Sequence, residues 1–439
     1  MPKYIVEGGV PLKGTVKIHG SKNACLPILA ATLLTNEPCT LNNVPDISDV
    51  HAFLELIKSL GGIATFENGT VNVHTKEITG DINDEELVQQ MRSSILLMGP
   101  LLARTGKVKM GFPGGCVLGK RSVHAHTHAL NQLGAEIVAD EHIEATATEL
   151  IGTKVLMAEA SVTATENAIM AASLAKGDTE IHFAAMEPHV QDLCHFINSM
   201  GGKITGIGTH TLFIEGVESL KGTEYEVTSD YIETGTLALA ALLTGGEVTL
   251  ENIVPGHLDS FWEKLEEVGA NFELTESTVT LKPLTEGKSF QAIEQLKTAV
   301  FPGFATDLQA PFVVLLTQSE GGSKVFETLF EGRLNYLEEL EKMGANVESH
   351  NPQQATITGC SPLKGAKIKS CDIRAGAAMV LAALIAEGTT EISNIRYIDR
   401  GYEALDEKLR SLGAKIQRVE NFNRTRPSTS VLETTEVES

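Results

Sequence analysis

The segment from Gly111 to Ser122 reads Gly-Phe-Pro-Gly-Gly-Cys-Val-Leu-Gly-Lys-Arg-Ser and carries a single thiol, Cys116, four and five positions ahead of Lys120 and Arg121. Four glycines and a proline in so short a span continue neither a helix nor a central strand, so a mobile loop is expected. Nearby cations lower a thiol pKa and fit it to act as a nucleophile or an acid. A buried structural thiol in a turn is the bland alternative; glycines on both sides favour exposure. Gly114 to Lys120 also fits G-x-x-x-x-G-K, but a phosphate loop then needs Ser or Thr to hold Mg²⁺. Arg121 stands there instead, which points to an anion held without a metal.

Further charged or hydroxylic residues stand just ahead of apolar helical stretches: Lys22, Arg92, Ser161 with Thr163, Asp230, Asp307, and Asp372 with Arg374. Helix starts present unpaired N–H groups and partial positive charge, so they receive anions readily. Ordinary capping accounts for Asp230 and Asp307. It does not account for Lys22 and Arg92, because a cation there opposes the dipole; a compensating anion is expected. His124, His126 and His128 invite a metal reading, yet on a helix His126 points away from the other two and no carboxylate sits at ligand spacing. No metal is expected. Trp262 reads as packing.

The elements that position these residues repeat. A hydrophobe-Gly-Gly/Ala phrase occurs around Gly61, Gly134, Gly201, Gly269, Gly344 and Gly413, with successive glycines 67 to 75 positions apart. An apolar stretch precedes each: 23–34, 93–104, 165–175, 232–243, 307–317 and 374–386. These are apolar or small nearly all round, which predicts six buried helices. Each unit reads as strand, buried helix, strand, amphipathic helix, then a strand pair around the Gly-Ala turn. Fixed self-similarity of this kind marks a repeat architecture. No polar capping repeat is visible, so two groups of three fit better than a solenoid.

With 439 residues the chain exceeds one hydrophobic core. It is 42% apolar with no membrane-length apolar run and no signal-like start. Six cysteines without a C-x-x-C pair disfavour zinc and disulfide frameworks and fit a reduced, cytoplasmic setting. A net charge of −22 disfavours nonspecific nucleic-acid or anionic-lipid binding, so any anion is held by a focused site. Residues 420–439 are polar, lack a core pattern and are expected to be disordered.

The six-fold unit, Lys22-Asn23, the Cys116 loop ending in Arg121, and Asp399-Arg400-Gly401-Tyr402-Glu403 together resemble the UDP-N-acetylglucosamine 1-carboxyvinyltransferase family, from about Tyr4 to Val419. The resemblance implies an α/β fold of two inside-out barrels, each of three βαβαββ units. One domain would combine residues 1–21 with 230–419, and the other would span 22–229, the two closing on substrate. It implies transfer of enolpyruvyl from phosphoenolpyruvate to the sugar 3-hydroxyl, opening peptidoglycan precursor synthesis, with no cofactor.

By that resemblance Cys116 is the general acid and the site of fosfomycin alkylation. Lys22, Arg121 and Arg400 hold phosphoenolpyruvate, with Arg92 close by, and Asp307 is the candidate base. Asn23 matches a sugar-binding position. Arg121, Ser122, Val123, His126, Ser161, Val162, Thr163 and Leu329 match nucleotide contacts, with Arg333 in the Leu329 segment. Asp372 and Arg374 match positions tied to closure and proton handling. Glu159 stands where the family has Lys, and Thr163 where it has Gly; both bear on nucleotide affinity. Two other readings remain: the sister transferase acting on shikimate 3-phosphate, which lacks the cysteine loop, and a silent sugar-nucleotide-binding paralogue, which has no need of a reactive thiol.

Overall fold

A computed structural model describes residues 2–114 and 122–420. The cysteine loop from 115 to 121, including Cys116, Lys120 and Arg121, lies outside the described residues, as does the tail from 421. Six small sheets surround two groups of buried helices. Five sheets have four strands and one has three among the described residues. In three of the four-stranded sheets the strand leading into an inner helix pairs in parallel with the strand leaving it. In the other two the partners are exchanged at the crossing, Lys13–Lys17 pairing in parallel with Glu247–Glu251 and Glu224–Glu226 with Cys39–Asn42. The remaining pairings are antiparallel.

The inner helices are Lys22–Ala31, Met98–Thr105, Val162–Ser173, Tyr231–Leu243, Thr306–Thr317 and Ile373–Ile385. Their burial follows from composition: a helix apolar on every side has no face for water. The expected stretch 93–104 is not one helix. It begins as a 3₁₀ segment, Arg92–Leu97, and becomes α-helical at Met98. Pro100 has no N–H to give a preceding turn, so it suits the first turn of a new helix.

The repeated glycine also sits differently from expectation. Gly61, Gly134, Gly201, Gly269, Gly344 and Gly413 all have φ between 81° and 101°. Each follows the cap of an outer helix, such as Ser48–Ser59 or Leu405–Ser411, rather than lying between the two strands that follow. A left-handed residue after the cap satisfies the last carbonyls, and glycine takes that conformation without a Cβ clash. The period therefore records helix endings.

Two hydrophobic cores result. One is built from Tyr4–Ile18 and residues 231–416, the other from residues 24–227. The chain passes between them twice, side by side: Ser21 N–H donates to Thr228 O at 2.7 Å and Asp230 N–H to His19 O at 2.8 Å. Among the described residues, no helix is long and apolar enough to cross a membrane.

Close packing sets the separation of the inner helices. A Cβ on Gly99 would lie 2.4 Å from Asn167 O, while the Gly99 N–H already donates to Asn167 Oδ1 at 2.7 Å. Gly99→Ala should therefore destabilise by about 1–3 kcal/mol, read as a lower melting midpoint. Gly322→Ala, where a Cβ meets nothing within 4 Å, should stay within about 0.5 kcal/mol of the parent.

Candidate active site

Two charged clusters form at N-terminal ends of the inner helices. In the first, the Asp49 carboxylate bridges two cations. Lys22 Nζ lies 2.7 Å from Asp49 Oδ2, and Arg400 donates from Nε to Oδ1 at 2.8 Å and from Nη2 to Oδ2 at 3.2 Å. Lys22 opens its helix behind the Ser21 N-cap, and its own N–H points to Asp230 Oδ2 at 3.4 Å. Burial lowers the Lys22 pKa; Asp49 opposes that and Arg400 adds to it. Burial would raise the Asp49 carboxyl, but Lys22 and Arg400 outweigh it and hold the acid below its ordinary value. The anion expected to compensate Lys22 is thus a residue of the chain itself.

In the second cluster Asp307 takes the bridging part. Arg333 Nη2 lies 2.6 Å from its Oδ1, and Arg374 reaches Oδ2 from Nε at 3.2 Å and Nη2 at 3.1 Å. Burial favours the protonated acid, yet Arg374 and then Arg333 hold Asp307 well below the usual carboxylate range. Asp307 caps no helix; it is the second residue of Thr306–Thr317 and its carboxylate points at guanidinium groups. Asp372 does cap, accepting the Arg374 and Ala375 N–H groups, which fixes the start of the helix that carries Arg374. Asp230 likewise caps Ile232 and Glu233. Arg374 lies over the Tyr402 ring at 5.3 Å, a favourable seat for a cation.

A third, largely neutral pocket gathers Arg92, Ser122, His126 and Thr163. Arg92 Nη2 donates to Ser122 O at 2.9 Å, and Ser122 Oγ accepts the His124 N–H at 3.0 Å. Because Asn167 Oδ1 accepts from Gly99, its amide nitrogen faces His126 Nδ1 at 2.9 Å and Ile95 O at 2.9 Å. His126 Nδ1 is then an acceptor, and Nε2 donates to Thr163 Oγ1 at 3.2 Å. Burial, followed by Arg92, pushes the His126 pKa down to about 3, so the ring is neutral at physiological pH. The rings of His124 and His128 lie 5.7 Å apart on the exposed side of that helix, away from buried His126.

Asn23, Val123, Ser161 and Val162 sit partly exposed beside these groups, Leu329 is exposed, and Glu159 is exposed behind Ser161. Ser161 is the N-cap of Val162–Ser173 without a side-chain cap bond. Cys116 and Arg121 lie outside the described residues.

Sequence reasoning missed three supporting groups. Asp49 sits in the first turn of an outer helix, where an acid reads as an ordinary dipole partner. Glu327, fully buried, accepts from Thr306 Oγ1 at 2.8 Å and from the Leu329 N–H at 2.9 Å, tying the Arg333 segment to the Asp307 helix. Asn167 orients His126. Asp49→Ala would leave two cations close together and poorly hydrated, so we expect roughly 3 kcal/mol of destabilisation in thermal unfolding. Adding Lys22→Met should recover part of it.

The family model for EPSP synthase (3-phosphoshikimate 1-carboxyvinyltransferase) matches residues 6–409. The chain is 45% identical over 421 residues to UDP-N-acetylglucosamine 1-carboxyvinyltransferase 1 of Caldanaerobacter subterraneus, covering 95% of this chain and 99% of that protein. It is 46% identical over 428 residues to UDP-N-acetylglucosamine 1-carboxyvinyltransferase 2 of Carboxydothermus hydrogenoformans, covering 95% and 100%. Among solved structures, the enolpyruvyl transferase NikO of Streptomyces tendae superposes with a TM-score of 0.85 at 24% identity, over 95% of this chain and 98% of that one. EPSP synthase of Acinetobacter baumannii gives 0.71 at 18%, over 96% and 100%. The two bridged carboxylates thus sit in the fold those structures share, and the chain belongs to the enolpyruvyl transferase family, among the UDP-N-acetylglucosamine 1-carboxyvinyltransferases.

Proposed function

We propose that this chain transfers the enolpyruvyl group of phosphoenolpyruvate to the 3-hydroxyl of UDP-N-acetylglucosamine, releasing phosphate. The reaction would run in the cytoplasm as the first committed step of peptidoglycan precursor synthesis, without metal or cofactor. The observation that carries this reading is the 45–46% identity to relatives named for that activity along nearly their whole length. The sister enzyme on shikimate 3-phosphate is matched in fold at 18% identity. We further propose that residues 1–21 with 230–419 and residues 22–229 act as two domains that close on the substrates; the two cores and the paired crossing at Ser21 and Asp230 support this.

In this reading Lys22, Arg400 and Arg121 hold the phosphate and carboxylate of phosphoenolpyruvate, with Arg92 near them. Guanidinium forks suit both groups. Asn23 meets the sugar. Ser122, Val123, His126, Ser161, Val162, Thr163, Leu329 and Arg333, with Arg121, receive the nucleotide and diphosphate. A neutral His126 places no positive charge against a uracil edge. Cys116 Sγ–H delivers a proton to C3 of the enol as the sugar oxygen bonds to C2, and the hydroxyl proton passes to Asp307. Breaking the C2–O bond to phosphate and removing a C3 proton then restores the enol.

The clamp on Asp307 bears on the order of events. A carboxylate held so low is a weak base, so it accepts the hydroxyl proton only once bonding to an electron-poor C2 has made that proton strongly acidic. Arg374, seated by the Asp372 cap, would stabilise the Asp307 anion until then.

A phosphate-release assay with phosphoenolpyruvate should respond to UDP-N-acetylglucosamine and not to shikimate 3-phosphate; the opposite pattern would transfer the chain to the sister activity. Asp307→Ala should lower kcat by ~100-fold or more, whereas an effect confined to KM would remove the base role.

A further inference from the structure

Arg400 is the last residue of a short 3₁₀ segment, Ile395–Arg400, and has no long element of its own to fix its direction. The residue before it is held on two sides. Arg418 donates from Nη1 to Asp399 Oδ1 at 2.7 Å and from Nη2 to Oδ2 at 2.8 Å, a full fork on one carboxylate. The Asp399 carbonyl accepts the Ser48 hydroxyl at 3.3 Å. Ser48 precedes Asp49, the partner of Arg400, so one peptide of the 3₁₀ segment is tied to the start of the helix carrying that partner.

Arg418 is itself well anchored. It lies on Lys415–Val419, opposite Tyr4 in the sheet, and its Nε donates to Glu420 Oε1 at 2.7 Å. Its guanidinium lies over the Tyr4 ring at 5.9 Å, and Tyr4 Oη donates to Asp406 Oδ1 at 3.2 Å. On the far side of Arg400 the chain is pinned again: Tyr402 Oη pairs with Thr236 Oγ1 at 2.9 Å, and Glu403 Oε2 accepts the Asp46 N–H at 3.2 Å.

About a third of the Arg418 and Asp399 side chains is exposed, 32% and 30%. Solvent screens pairs so exposed, although a bidentate fork within a network keeps some stabilising value. The fork also fixes direction as well as distance.

We propose that Asp399 and Arg418 are positioning residues for phosphoenolpyruvate: their fork, braced on the terminal strand, aims the Arg400 guanidinium into the anion site beside Lys22. The inference rests on the reading that Arg400 holds phosphoenolpyruvate. It adds that the affinity of that cation depends on a residue pair outside the site.

The test is steady-state kinetics by phosphate release on Asp399→Ala, Arg418→Gln and the double variant, each also made in an Arg400→Gln background. Residues acting as one unit through Arg400 show strong non-additivity. Each single variant and the double should raise KM for phosphoenolpyruvate by the same factor, ~10-fold, with KM for UDP-N-acetylglucosamine within ~2-fold, as loss of orientation predicts. In the Arg400→Gln background the same changes should add nothing. Arg418→Lys, which keeps the charge and loses the fork, should not restore the parent KM. Melting curves identify any variant that fails to fold, and Arg418→Lys then carries the comparison. Equal shifts for both substrates, no shift, or a further loss beyond Arg400→Gln would overturn the proposal. A parent enzyme that releases no phosphate from phosphoenolpyruvate would instead overturn the functional reading, and this inference with it.

Discussion

Everything at the site follows from gathering cations where little water can reach them. Lys22, Arg333 and Arg374 are buried, and Arg400 is mostly covered. Removing such groups from water is costly unless an opposite charge is close. Asp49 and Asp307 supply that charge, each shared between two cations. The arrangement lets a site for a highly anionic ligand fold in advance of the ligand. It also means that an incoming anion meets cations already engaged, so binding is an exchange of partners as well as an attraction.

The inner helices make this possible. Largely apolar around their circumference, they carry the charges of both clusters close to their N-terminal ends. The acids there serve different purposes. Asp230 and Asp372 cap N–H groups, while Asp307, one position inside its helix, is committed to guanidinium groups. Aspartates near the starts of repeated helices thus serve structural or chemical tasks according to their offset from the cap. The His126 pocket is built on other terms: a buried amide, Asn167, fixes the tautomer and keeps the ring uncharged.

Much of this was legible in the sequence. The six apolar helices were visible because a stripe on every side has no other interpretation, and their bounds shift mainly by a residue or a few at each end. The exception, Arg92–Thr105, changes from 3₁₀ to α at Met98, two residues ahead of Pro100, whereas Pro27 and Pro311 leave their own helices continuous. The recurring glycines were legible as a period but not as helix endings, since a positive φ leaves no mark in the chain beyond glycine itself. Lys22, Asp307 and Arg374 stood out ahead of apolar stretches, Arg333 and Arg400 came from the family resemblance, and the structure gathers all five into two bridged clusters. Asp49 and Arg418 did not stand out, because their partners lie 27 and 19 residues or more away along the chain. Ion pairs of that separation carry no periodic signal.

The pairing of Lys3–Glu7 has one more implication. That strand lies between Thr389–Ser393 and Lys415–Val419, flanked on both edges by the last strands of the chain. During synthesis, the core from residues 24–227 has all its parts long before the chain is finished. The other core waits, its opening strand lacking both neighbours until Thr389–Ser393 and Lys415–Val419 have been made. One sheet thereby sets an order of availability during synthesis: the parts of one core are all present before the partners of Lys3–Glu7 exist.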